Sequence, residues 1–217
     1  MSGNAAMTGK EMRPMRNTLA IGGGVFRFGL AIAATVLLAG CLSLSGKAPE
    51  QLLSLTASET AAAGKTSGGA ITDAIVVLDP EADRAIDMLR VPVRVNASSV
   101  AYLKKIAWIE KPSRQFRKLL AETLRARSSR LVVEGGDFEV TGRTLIGGRL
   151  IDMGYDAASG AVVVRFDAMK SEQGGAIATQ RFESVVTGVK PDAKAVAPAL
   201  NTAANDVAKQ VADWVGT

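Results

Sequence analysis

Few side chains in this sequence could do covalent or acid–base chemistry. Of its 217 residues none is His and one is Cys. Ser-His-Asp and Cys-His arrangements therefore cannot be built, nor can His-bearing zinc sites. A single thiol also excludes an intrachain disulfide and any paired-cysteine metal or redox motif. That thiol, Cys41, stands directly behind Leu38-Ala39-Gly40 at the end of an apolar run. Four carboxylates, Asp152, Asp156, Asp167 and Glu183, fall in strand-like stretches. Paired carboxylates can do acid–base work without His, but alternation along exposed strand faces explains these acids more simply as solubilising groups. With no nucleophile–base constellation, neither catalytic nor metal-ligating residues are expected. Gly64-Lys65-Thr66 has the ending of a phosphate loop. It fails as one, because the leading glycine would fall at Glu59 and no apolar strand precedes it.

The stretch ahead of Cys41 reads as a signal peptide over residues 1–40. Lys10, Arg13, Arg16 and Arg27 precede the apolar run Phe28 to Leu38, and small residues follow. That run is about half of the roughly 20 residues a bilayer-spanning helix needs. Leu38-Ala39-Gly40-Cys41 resembles the lipobox of bacterial lipoproteins. The resemblance implies cleavage between Gly40 and Cys41, diacylglycerol on the Cys41 sulfur and an acyl chain such as palmitate on the new amino terminus. Only a thiol can form that thioether, and several chains together make a stable anchor where one does not. Leu42 follows, not Asp, which by the same resemblance favours the periplasmic face of the outer membrane. No dissociable cofactor is expected beside this covalent lipid. The four cations and Glu11 give residues 1–40 a charge of +3 out of the chain's +5, leaving +2 for the rest. A remainder so close to neutral gives no case for nucleic acid.

Residues 41–73 have the composition of a flexible tether, rich in Ser, Ala, Gly and Thr, with one short strand around Leu52–Leu55. A folded domain is expected over 74–217. Ala74–Leu78 is a β-branched run closed by Asp79-Pro80. Arg90–Asn96 alternates with a period of two, and Pro92 marks an edge or a strand start. Lys105–Glu110 is a third extended piece. Pro112-Ser113 then opens a helix with Ser113 as a capping side chain, and Phe116, Leu119, Leu120, Thr123 and Leu124 form its buried stripe. Strands follow at 131–133, 144–155, 161–169 and 177–186, the last three separated by turn residues as in a hairpin meander. Gly147, Gly148 and Gly154 predict a bend or bulge in the first of those three. A second helix runs from about Pro191 to Val215, with Val196, Leu200, Ala204, Val207, Val211 and Val215 as its stripe. The fold class is α+β, a largely antiparallel sheet with two amphipathic helices on one face.

The stretch from Val91 to Leu120, with Pro92-Val-Arg-Val95, Tyr102 and Trp108 ahead of the helix, resembles the ABC-type transport auxiliary lipoprotein family. Gly148–Tyr155, Ala161–Ala168 and a C-terminal helix ending in Trp214 fit the same pattern. Members accompany mammalian-cell-entry-type lipid transport systems in Gram-negative envelopes. The resemblance therefore implies a non-catalytic auxiliary component of a transporter moving lipids or hydrophobic compounds across the envelope. A scaffolding lipoprotein with no transporter role is the alternative. The partners implied are the bilayer, reached through the anchor, a periplasmic mammalian-cell-entry-type component, and further copies of the chain as a homo-oligomer. Tyr102, Trp108 and Trp214 are candidate lipid or partner contacts, since aromatics supply amphipathic contact area; core packing is the competing role. Where the family usually carries a Tyr-containing strand soon after the lipidated Cys, this chain has Leu52-Leu53-Ser54-Leu55.

Overall fold

The computed structural model describes residues 49–135, 144–172 and 174–216. The leader and Cys41 lie outside them. Among the described residues, ten strands and two long helices follow one another in the order β1 (Gln51–Leu53), β2 (Ile75–Val77), β3 (Glu81–Ala82), β4 (Pro92–Asn96), β5 (Ser99–Tyr102), β6 (Ile106–Trp108), α1 (Pro112–Arg127), β7 (Val132–Glu134), β8 (Thr144–Asp156), β9 (Ala161–Glu172), β10 (Ile177–Val186) and α2 (Ala193–Val215).

The thirteen-residue β8 organises the sheet. One of its edges pairs antiparallel with β9, which pairs antiparallel with β10, giving the meander that the turn residues predict. Its other edge takes three short strands in succession, all parallel: β2 at Thr144–Ile146, β3 at Arg149–Leu150 and β4 at Tyr155–Asp156. β7 extends the sheet beyond β2, again parallel, and β5 pairs antiparallel with β4. The sheet is thus mixed, antiparallel in its long hairpins and parallel where short segments reach it across long connections. Pro92 does open its strand, where its missing N–H costs no ladder bond.

A bulge sets which side chains face the core. The β8–β9 register shifts between Leu150 and Asp152. Before it the even-numbered Ile146 and Leu150 are buried; after it the odd-numbered Met153 and Tyr155 are. Without the extra residue Asp152 would point inward and Met153 outward. The bulge sits at Ile151, between the glycines that predict it. Those glycines serve close approach: a Cβ on Gly154 would lie 2.5 Å from the Pro92 carbonyl oxygen, where β4 meets β8.

Both helices lie on one face of the sheet. Phe116 of α1 packs on Phe166 of β9 with ring centroids 5.0 Å apart, and Trp214 of α2 packs on Phe182 of β10 at 5.6 Å. The predicted stripes are buried along both helices. The helix starts are built differently from each other. Asp192 caps α2 by accepting from the Ala195 N–H. At α1, Ser113 makes no cap bond; Pro112 stands in the first turn and the Ser113 hydroxyl donates to Asp87 instead.

The composition of residues 41–73 suggests a flexible tether, but the structure takes much of it into the fold. β1 pairs parallel with β6, burying Leu53. The chain then runs as a strap over both helices. Its Leu55 and Ala61 N–H groups donate to Gln115 and Glu122 of α1, and its Thr56 and Ser58 N–H groups donate to Asn201 and Asn205 of α2. Glu59 pairs with Arg127 at 2.7 Å, a bond that holds its carboxyl below the usual carboxylate range. Lys65 ends the strap by donating to the Arg125, Ala126 and Ser128 carbonyls at the C-terminus of α1, where a cation is favoured. Polar side chains on the helices thus satisfy a backbone too small-sided to bury itself.

Asn205 fastens the strap most firmly. It is 4% exposed, accepts from Ser58 at 2.7 Å and donates to the Thr56 carbonyl at 2.9 Å. Asn205→Leu leaves both strap groups without their partner. The expected loss is about 2–3 kcal/mol, read in chemical denaturation, with tryptic cleavage after Lys65 appearing under native conditions.

Candidate functional site

The outer face of the sheet gathers the predicted carboxylates. Asp152, Arg165 and Glu183 lie directly opposite one another on β8, β9 and β10, while Arg94 of β4, whose register partner on β8 is Asp156, reaches Asp152 diagonally. Asp152 is bonded by both Arg94 and Arg165, and Arg165 also bonds Glu183. A second row runs Arg149, Asp167, Arg181. The Arg181 guanidinium holds Asp167 at 2.5 and 2.7 Å and pulls its carboxyl below the usual range, against a smaller opposing effect of burial. Asp156 accepts from the Ala158 N–H in the β8–β9 turn. A general acid active near neutrality needs its pKa raised by apolar surroundings; Asp167 is shifted the other way. These cross-strand pairs hold register and keep the face wet. Among the described residues, no cluster of three or more acidic or Cys side chains could hold a metal ion.

The three aromatic candidates separate. Trp108 is 1% exposed and belongs to the main core, so this chain offers no Trp108 surface to a partner; that expectation is corrected. Its indole N–H has no hydrogen-bond partner among the described residues. Trp214 is half-buried, held between Phe182 and the Lys170 ammonium, which lies 5.1 Å from its ring centroid. It anchors the end of α2 on the sheet. Tyr102 is half-buried at the end of β5, with Arg90 over its ring at 4.3 Å and its hydroxyl directed at the Met88 sulfur.

Tyr102 lines a cleft of about 330 Å³ with Val93, Ala101, Leu103, Lys104, Lys105 and the start of α2. The chain enters the fold beside it. The Gln51 N–H donates to the Lys105 carbonyl at 3.0 Å, and Glu50 pairs with the Lys105 ammonium at 3.2 Å. Lys105 has φ 67, among the described residues the only non-glycine in the left-handed region. The adjacent Lys104-Lys105 pair is plain in the sequence, but its position at the chain's entry point is not, because the β1–β6 pairing that creates it joins segments about fifty residues apart.

The family model for the ABC-type transport auxiliary lipoprotein component matches residues 53–212. The chain belongs to that family. The match begins at Leu53, the buried end of β1, so the family's domain includes the strap, whose composition suggests a tether. No curated protein matches the sequence. Among solved structures, an uncharacterized protein aligns with TM-score 0.62 at 11% identity, over 78% of this chain and all of its own. A DUF330 protein from Xanthomonas campestris aligns with TM-score 0.63 at 16% identity, over 76% of this chain and 94% of its own. At such identities these likenesses establish a shared fold. Family membership makes the chain an auxiliary lipoprotein component of an ABC-type transport system.

Proposed function

We propose that this auxiliary lipoprotein is anchored through Cys41 to the periplasmic face of the outer membrane. There it serves, without catalysis, a mammalian-cell-entry-type transporter that moves lipids or other hydrophobic compounds across the envelope. The observation that carries the reading is the family match over 53–212 on a chain whose one thiol directly follows Leu38-Ala39-Gly40. The structure adds support of two kinds. The outer carboxylates are tied to arginines, an arrangement suited to a stable recognition face. With β1 held in the fold, only nine residues lie between Cys41 and Gln51, a connection that spans at most about 35 Å. An anchored domain is therefore held close to its bilayer.

The decisive experiment combines partitioning with capture. Wild type enters the detergent phase of an envelope extract, while Cys41→Ser remains aqueous. Capture of crosslinked wild type recovers transporter components. Unchanged partitioning of Cys41→Ser defeats the anchor, and recovery of only porins or peptidoglycan-bound proteins defeats the transporter role.

A further inference from the structure

Basic and apolar groups crowd the point where the chain enters the fold. Leu52, Leu89 and Met88 are 58, 50 and 38% exposed. Leu52 lies next to Gln51 on β1, the Leu89 carbonyl accepts from the Trp108 N–H of the adjoining β6, and Met88 meets the Tyr102 hydroxyl. Exposed apolar side chains grouped this way mark an interaction surface. Around them stand Arg90, Lys104 and Lys105, with Lys194 at the start of α2 in the adjoining cleft. Glu50 and Asp192 are the acids of that cleft, and Asp192 is engaged in capping α2.

Lys105 adds a second observation. A lysine at φ 67 costs backbone energy that glycine would avoid. Its ammonium is well exposed, with 68% of the side-chain surface accessible, and among the described residues its ion-pair partner is the equally exposed Glu50. The fold itself does not require a lysine there.

We infer that this face, built from Leu52, Met88, Leu89, Tyr102, Lys104 and Lys105, lies against the bilayer and binds its anionic headgroups. The inference rests on the Cys41 anchor proposed above, because the nine-residue connection between Cys41 and Gln51 brings this face within reach of the membrane. An apolar, aromatic and basic combination is the chemistry of an interfacial contact: short apolar side chains and the tyrosine ring enter the headgroup layer while the lysines meet phosphate. A protein partner would be the occupant if vesicles failed to bind.

The test uses the chain from residue 41 onward carrying Cys41→Ser, so that no acyl chain contributes. It sediments with phosphatidylglycerol-containing vesicles at low salt and not with phosphatidylcholine vesicles. Each lysine removed weakens binding about fivefold, so Lys104→Gln with Lys105→Gln lowers it about 25-fold. Arg149→Gln with Arg181→Gln, an equal loss of charge on the outer sheet face, leaves it within about twofold. Lys105→Gly raises the melting temperature by about 2 °C while weakening vesicle binding. Equal losses from the two double variants, or no binding to phosphatidylglycerol vesicles, overturns the inference. Wild-type partitioning into detergent is read separately, so the anchor can stand while the headgroup contact fails.

Discussion

Trp108→Ala is expected to lower stability by about 4 kcal/mol and the melting temperature by roughly 12 °C. Trp108 is among the largest fully buried side chains and shares the core with Ile86, Val91 and Ile106, so truncation opens a cavity in that core. Trp108→Phe is expected to cost far less. It keeps most of the volume and removes a buried N–H that has no protein partner among the described residues. Thermal and chemical unfolding measure both. Transporter capture at a temperature where both variants are folded should match wild type. A variant of normal stability but poor capture would restore Trp108 to the contact surface.

Gly148→Ala is expected to be at least as damaging, with a loss of about 4 kcal/mol or more and little folded protein recovered. A Cβ there would lie 2.0 Å from the Asp167 carbonyl oxygen and 3.0 Å from the Ala168 Cα, at a φ of 140. Both obstacles are backbone of the neighbouring strand, so no side chain can swing aside. The β8–β9 ladder must open next to the Arg149–Asp167 row and the bulge that follows it. Gly174→Ala provides the comparison. Its φ is also positive, at 70, but nothing lies within 4 Å of the added carbon, so its cost is the conformational one alone, about 1 kcal/mol. Circular dichroism with urea titration separates them. Equal losses would mean that backbone conformation, and not the clash, dominates at Gly148.

Local pattern made much of this protein legible. The helical stripes of α1 and α2, the β8–β10 meander and the strand start at Pro92 depend on neighbours within a few residues, and the structure reproduces them. The β4–β5 hairpin was not visible as a pair, because Ser99–Tyr102 is mostly exposed and carries little apolar alternation. Likewise Trp108 and Trp214 are indistinguishable by type, yet one is sealed in the core and the other braces a helix end. Alternation reads the four carboxylates as solubilising groups on strand faces, but only cross-strand register sets each beside its arginine or, for Asp156, in its turn.

What the sequence determined by itself is its chemical inventory: a lone thiol behind small residues, no imidazole, and two apolar stripes of helical period. These are properties of composition and short-range spacing, which survive in any conformation. Tertiary structure alone decided that a stretch of linker-like composition becomes a strap, because the groups satisfying its backbone, Gln115, Glu122, Asn201 and Asn205, lie about 60 to 150 residues away. It also decided that Lys105 meets the entering chain, through a parallel pairing of β1 with β6 that no local signal specifies. Backbone hydrogen bonds with distant partners depend on the whole fold, and so only the folded chain reveals them.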